Sequence, residues 1–294
     1  MLKKSILFII NPISGGKNKR NFQSLADKIL DREVYEPQFE FSERAGHAYM
    51  LAEKAIGEGV DVIVAVGGDG TINEVASAVE GTNSIMGIIP FGSGNGLARS
   101  LNVSLKAERA LRALNRFRIE VIDTAELAGY KFFNMGGVGF DARISYQFTM
   151  LPNRGFQGYV KTTFNEILNY KAKKYLIEID GKKMERDAFM ISIANSSQYG
   201  NNAYIAPTAS LKDGLLDLCI VKPFPLYHFP VMVYHLFSKT SEKSRYVEII
   251  KGKNIRIKTT NVDAPEVIHL DGEPRRVNGD ILASIKPLSL KVLH

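Results

Sequence analysis

The stretch Val62–Val75, "VIVAVGGDGTINEV", runs from apolar and small residues into three glycines around one carboxylate, then into a pattern that opens a helix. Gly67, Gly68 and Gly70 are the residues that lose most conformational freedom on ordering, so their clustering at a strand end calls for a reason. A glycine-built loop between a parallel strand and its helix brings backbone N–H groups close to a phosphate, and the helix N-terminus adds favourable partial charge. Asp69 in such a loop does not attract phosphate. A carboxylate beside phosphates orients Mg²⁺ or accepts the proton of an attacking hydroxyl. The stretch therefore points to phosphoryl chemistry, against the plainer reading of a tight turn with Asp69 as a helix N-cap.

Outward from this loop, strand-like runs alternate with helical patterns: "SILFII", "NFQSLADKIL", "EPQFEFS", "GHAYMLAEKAIGEG", "DVIVAVG", "TINEVASAVE", "SIMGIIPF" and "SLKAERALRALNR". That order predicts right-handed crossovers and a parallel sheet covered on both faces, with function at the carboxyl ends of the strands. From about Ile119 the texture changes to strands separated by turn signals, and Asp180-Gly181 between two alternating runs marks a hairpin. The expectation is an α/β fold in two parts: a Rossmann-like parallel-sheet domain over residues 1–122, then a mainly antiparallel β-sandwich over residues 123–294. A helical piece around "GYVKTTFNEILNYKAKK" interrupts the second.

Two further glycine and hydroxyl clusters end strands at the same edge of the predicted sheet: "NPISGG", Asn11–Gly16, and "PFGSGNGLAR", Pro90–Arg99. Ser14, Ser93 and Asn95 supply short polar groups for phosphate or ribose. Arg99 supplies a charge, unless it serves a surface salt bridge. "SGGKNK" lacks the Walker A spacing. "GVGFDA", Gly137–Ala142, matches a dinucleotide pattern in letters but falls among strands without a βαβ unit, and reads instead as a tight turn.

With 294 residues, 45% hydrophobic and 23% charged, the chain is long enough for two cores and excludes disordered and collagen-like classes. A net charge of +7 favours an anionic partner. The basic residues are scattered and no recognition motif appears, so nucleic acid is not expected. Cys219, the only cysteine, reads as a buried inert thiol in a reducing cytoplasm. The apolar run in "MLKKSILFIINP" is too short for a secretory signal and reads as the first strand; no run is long enough for a transmembrane helix. The five histidines show no metal-ligand spacing and are given no role.

Taken together, "NPISGG", "SERAGHA", "GGDGTINEV", "PFGSGNGLAR", "GVGFDA", "LKDGLLDL" and "LDGEP" make the chain resemble the diacylglycerol kinase catalytic-domain family, soluble bacterial lipid kinases related to sphingosine and ceramide kinases. The resemblance implies a nucleotide domain like those of NAD kinases and phosphofructokinases, a β-sandwich domain, and an active site between them. It implies an ATP site at Asn11, Ser14, Gly15, Ser42, Gly68, Asp69, Gly70, Thr71, Asn73, Glu74, Ser93 and Asn95. It further implies the acidic pair Asp271 and Glu273, with the general base at Glu273, or at Asp69 as in the sphingosine kinase branch. A Mg²⁺ site maps to Ser210, Asp213 and Leu215, with Ser210 and Leu215 acting through backbone carbonyls because Leu has no ligand atom and Mg²⁺ takes oxygen. On the residues alone, "LDGEP" and Asp213-Gly214 also read as plain turns. Where many bacterial members have Thr-x-Asn-Asp, this chain has Ser93-Gly94-Asn95-Gly96, closer to sphingosine kinases, so diacylglycerol and sphingoid acceptors both stay open. An NAD kinase, and a nucleotide-responsive lipid-binding protein without catalysis, are the other readings.

A kinase for a bilayer-held alcohol must meet the membrane, so the expected location is cytoplasmic and peripheral to the inner membrane face. "PFPLYHFPVMVYHLFSK", Pro223–Lys239, and the segment Tyr159–Lys174, with Lys171, Lys173 and Lys174, are the candidate surfaces; the alternatives are core packing and a solvated helix face. The oligomeric state, homodimer included, is open.

Overall fold

The computed structural model describes residues 3–16, 19, 21–149, 166–167, 170–259 and 265–294. The chain divides into two compact units, Met1–Asp123 with Leu288–His294, and Thr124–Pro287. The second domain expected from the sequence keeps residues 123–294 together; in the structure the last seven belong with the first unit.

In the first unit, strands β1 (Lys4–Ile10), β2 (Tyr35–Phe41), β3 (Val62–Gly67) and β4 (Ile85–Pro90) form a parallel sheet in the order β2-β1-β3-β4. All six residues of β3 are buried, as an apolar strand covered on both faces requires. Side chains alternate between faces. Ile6, Phe8, Ile10, Val62, Val64 and Val66 pack with α1 (Phe22–Ile29) and α5 (Ala107–Leu114), which also pack on each other. Leu7, Ile9, Ile63 and Ala65 are equally buried on the other side, where α2 (His47–Gly57) and α3 (Asp69–Val79) pack together. Each fully buried Val, Ile or Phe here contributes about 1.5–3 kcal/mol of transfer free energy. Between α3 and α5 the chain forms α4 (Gly96–Ser100), a short helix inside what the sequence presents as a loop.

The order β2-β1-β3 has a consequence for function. The chain leaves β1 towards β2 on one side and comes back to β3 on the other, which makes a topological switch between β1 and β3. Crevices for ligands open at the carboxyl edge of such a switch. The loops after β1 and β3 are "NPISGG" and "GGDG".

The second unit carries β5 (Ile119–Leu127) from Thr124 onward, then β6 (Tyr130–Phe132), β7 (Met135–Gly139), α6 (Phe140–Thr149), β8 (Lys173–Ile179), β9 (Lys182–Ala188), β10 (Met190–Ala194), β11 (Gln198–Gly200), β12 (Ala203–Tyr204) and β13 (Leu216–Val221). There follow α7 (Phe229–Phe237), β14 (Val247–Gly252), β15 (Asn254–Thr259), β16 (Glu266–Leu270), β17 (Glu273–Val277) and β18 (Ile281–Leu293). One sheet runs β14-β13-β10-β7-β16-β17, antiparallel throughout. Strands β9, β8, β15 and the first half of β18 pair antiparallel in a second. Ile191, Ile193, Leu218 and Ile268 from the one, and Tyr175, Ile177, Ile257 and Ile281 from the other, share a core, so this unit is the expected sandwich. Val292 and Leu293 at the end of β18 pair parallel with β4 in the first unit.

The β8–β9 hairpin turns at Asp180-Gly181 with φ of 47° and 84°, the turn anticipated from the sequence. "GVGFDA" is the end of β7 and the start of α6; β7 pairs antiparallel on both sides, which excludes a dinucleotide βαβ unit. Most of the anticipated helical piece around "GYVKTTFNEILNYKAKK" lies outside the described residues. Its final lysines lie in a strand, not on a helix face: Lys173 and Lys174 belong to β8 and pair with Glu266 and Glu185, both at 2.8 Å. Cys219 is buried in β13, where burial pushes its thiol up. No helix among the described residues is long and apolar enough to cross a membrane.

Candidate active site

Three glycine loops of the first unit meet at the carboxyl edge of its sheet. A Cβ on Gly15 would lie 1.7 Å from the carbonyl oxygen of Phe91, and one on Gly92 would lie 2.7 Å from the Cα of Gly68. Only hydrogen fits at these backbone crossings, and Gly15 also sits at φ 64°, which disfavours a side chain. The loops after β1, β3 and β4 therefore form one surface, and the Gly68 N-cap turns the start of α3 into it.

Side chains of the candidate residues hold this surface together. Asn11 Nδ2 donates to Thr71 Oγ1 at 3.1 Å, and its Oδ1 accepts from the Ile13 amide. Ser14 Oγ donates to the Asn11 carbonyl. Asp69 accepts from the Asn95 and Gly96 amides at 2.9 and 2.8 Å, one on each carboxylate oxygen, and so caps α4 from another loop. Asn95, at φ 52°, closes its own turn by accepting from the Gly92 amide and donating to the Gly92 carbonyl. Glu74 accepts from the Gly46 and Ala48 amides at the N-terminus of α2. It clamps two helices. Ser42 follows β2 directly and is buried, its amide donating to the Ile10 carbonyl beside Asn11. Ser93 is exposed, Gly70 and Asn73 lie in α3, and Arg99 Nε braces the loop by donating to the Gly94 carbonyl.

One cation escaped the sequence reading. Lys19 is buried, its Nζ donating to the Ser14 carbonyl at 2.6 Å and lying 5.0 Å from the centre of the Phe91 ring. The letters "GGKNK" after β1 were the available signal, but nothing in them distinguishes the lysine that folds back.

In the second unit Asp271 and Gly272 form the two-residue turn of the β16–β17 hairpin, both at positive φ, with Leu270 opposite Glu273. The two acids differ in what they touch. Asp271 accepts from the amides of Phe133, Asn134 and Met135 at 2.9 to 3.1 Å, so its carboxylate is spent on ordering the segment before β7. Glu273 is exposed, and among the described residues its carboxylate has no hydrogen-bond or ion-pair partner. Two residues before the turn, buried His269 bonds Asp141 of α6 through Nε2 at 2.8 Å. Desolvation works to discharge this imidazole, but the Asp141 carboxylate outweighs it and the pKa is raised. The pair anchors β16 to α6, a role the spacing of histidines along the chain did not reveal.

At the expected Mg²⁺ position, Ser210 Oγ accepts from the Lys212 amide, and Asp213 accepts from the Leu215 amide and from Lys251 Nζ at 2.8 Å. Lys251 also lies 3.2 Å from the buried carboxylate of Asp217. The oxygen chemistry suits a hard cation, but an ammonium already stands between the two carboxylates. The described residues include no cluster of three or more His, Cys, Asp or Glu able to hold a metal. Ser210 and Leu215 would have to serve a Mg²⁺ through their backbone carbonyls, with Asp213 as the one carboxylate, and that set stands as the resemblance implies it.

Burial raises the Asp217 carboxyl above its usual range, and Lys251 opposes the shift. Lys251→Met should destabilise the fold by about 2 kcal/mol at neutral pH, less than for a wholly buried pair because the lysine is partly exposed. Without the ammonium the folded-state pKa of Asp217 rises further above its unfolded value, so folding takes up a proton. Stability then increases as pH falls, and the deficit against wild type should narrow between neutral pH and about pH 5 in urea unfolding.

Comparison with known proteins agrees with this geometry. A model of the diacylglycerol kinase catalytic domain matches residues 5–127, and one of the YegS C-terminal NAD kinase beta sandwich-like domain matches residues 135–294. The chain belongs to the diacylglycerol kinase family. This kinase is 33% identical over 245 residues to a probable lipid kinase YegS-like protein of Yersinia enterocolitica, covering 78% of this chain and 77% of the relative. It is 27% identical over 280 residues to a diacylglycerol kinase of Bacillus subtilis, covering 92% and 90%. A crystal structure of a diacylglycerol kinase from Bacillus anthracis superposes with a TM-score of 0.75 at 18% identity, over 100% of this chain and 98% of the other, which shows the shared fold. The protein is thus a lipid kinase of this family, and its family implies the use of ATP. The NAD kinase and non-catalytic readings lose their ground.

Proposed function

We propose that this kinase transfers the γ-phosphoryl group of ATP to the free hydroxyl of diacylglycerol, with Glu273 as the general base. The meeting of three glycine loops at the switch point of the parallel sheet carries the nucleotide half of this reading. Their backbone and the α3 N-terminus receive the phosphates, and Lys19 adds positive charge beside the first loop. Mg²⁺ comes with the triphosphate and neutralises its charge.

Among the three acids, the contacts favour Glu273. Asp69 and Asp271 have their oxygens engaged by backbone amides, whereas Glu273 has a carboxylate available to a hydroxyl proton. The lipid oxygen bonds to the γ-phosphorus, its proton passes to Glu273, and the bridging oxygen leaves with ADP.

The test is incubation with ATP labelled at the γ-position and diacylglycerol, monoacylglycerol, sphingosine or ceramide in mixed micelles. Label is expected in diacylglycerol. Label confined to sphingosine would transfer the proposal to the sphingoid branch, and no label in any lipid would overturn it.

A further inference from the structure

Helix α7 is built the wrong way round for a surface helix. Its inner side is anchored: Met232 is buried with Met135, Ile205 and Cys219, Leu236 packs on the same cluster, and Phe229 packs against Phe140 and Ile144. The outer side of a helix so placed is ordinarily charged or polar. Here Tyr227 in the preceding turn, and Val231, Tyr234 and Phe237 in the helix, are 77%, 47%, 67% and 47% exposed. Their spacing of four, three and three residues puts them on one face. Leu226, also half exposed, and the exposed prolines Pro223, Pro225 and Pro230 extend the same apolar surface. Other exposed large apolar residues, such as Ile13 and Leu176, are scattered through the chain.

The electrostatics of the segment name the partner. From Pro223 to Ser241 there is no acidic residue; Lys239 lies within that span and Lys243 and Arg245 follow it beyond Glu242, while Lys222 before it is paired with Glu248 at 3.0 Å. Lys239 lies over the Tyr204 ring, held near the patch and exposed. An apolar face carrying two tyrosines and rimmed by cations suits the boundary of an anionic bilayer, where phenol rings sit with the ring in the acyl region and the hydroxyl among headgroups. Each lysine near such a surface adds attraction that salt screens.

We propose that the outer face of α7 with the Leu226–His228 turn docks this kinase on the surface of a membrane containing anionic lipid. The inference rests on the substrate being a lipid presented by a bilayer, and it goes further by assigning the surface that meets it. No residue of this face belongs to the ATP site or to the acidic pair.

The experiment is co-sedimentation with vesicles of phosphatidylcholine, with and without phosphatidylglycerol. It compares wild type with the combined variant Tyr227→Ser, Val231→Ser, Tyr234→Ser. These side chains are exposed, so the fold should survive, which the unfolding midpoint checks. Wild type should bind the phosphatidylglycerol vesicles, more weakly in high salt, and the variant should bind at least tenfold less. Phosphorylation of a monomeric short-chain diacylglycerol should be equal in both. Equal vesicle binding by the two proteins, or none by wild type, overturns the docking face. So does a wild-type dimer that the variant splits into monomers, since a second copy then covers the helix. Loss of phosphorylation in both proteins counts against the proposed reaction alone, because vesicle binding still reads the docking face by itself.

Discussion

Glu273→Gln is expected to lower kcat for diacylglycerol phosphorylation by about 10²- to 10⁴-fold, the usual worth of a positioned base, with no change in unfolding midpoint. The second half of that expectation follows from contacts. Glu273 is exposed and, among the described residues, its carboxylate has no hydrogen-bond or ion-pair partner, so an amide of the same shape leaves the hairpin intact. Asp271→Ala is the counterpart. It strips acceptors from three amides next to buried Phe133, Asn134 and Met135, and should destabilise the second unit by about 3 kcal/mol or more, whatever it does to turnover. Steady-state kinetics and urea unfolding on both variants separate the roles. A Glu273→Gln enzyme that keeps wild-type kcat would remove the base from that position.

The contrast between these neighbours marks the limit of what the sequence discloses. The parallel sheet is legible because its strands are buried on both faces and so read as unbroken apolar runs, as in β3. The phosphate loops are legible because backbone crossings as close as Gly15 on Phe91 admit only glycine. The acids are legible as a set but not in their work, since an Asp or Glu looks the same in letters whatever donates to it. Asp69 takes its donors from 26 and 27 residues away, Glu74 from 26 and 28, and Asp271 from well over a hundred. The same reason hides α4, whose start is capped by Asp69, and the return of Leu288–His294, whose pairing with β4 follows from no local pattern. Val247–Gly252 went unmarked because β14 lies at a sheet edge, where only its ends are buried and the alternation is lost.

Asp69→Ala should reduce kcat/KM for ATP by about 10²- to 10³-fold, chiefly through KM, because two charge-assisted hydrogen bonds of roughly 1.5–3 kcal/mol each hold the third loop to the second. With them gone, the Asn95 and Gly96 amides lose their acceptor and the start of α4 loses its cap. The surface offered to the triphosphate then has to be ordered by the ligand itself, which weakens binding before it slows the chemical step. Asp69→Asn should fall between, since its one remaining oxygen can accept from either amide while its NH₂ group opposes the other. The pH dependence decides between this role and that of base. If Asp69 is a clasp, kcat of the alanine variant keeps the acid limb of the wild-type profile, because the group that must lose its proton is still present elsewhere. Should that limb vanish while KM for ATP stays at its wild-type value, Asp69 is the proton acceptor, and the hydrogen bonds it makes to Asn95 and Gly96 in this structure describe a resting arrangement that substrate must displace.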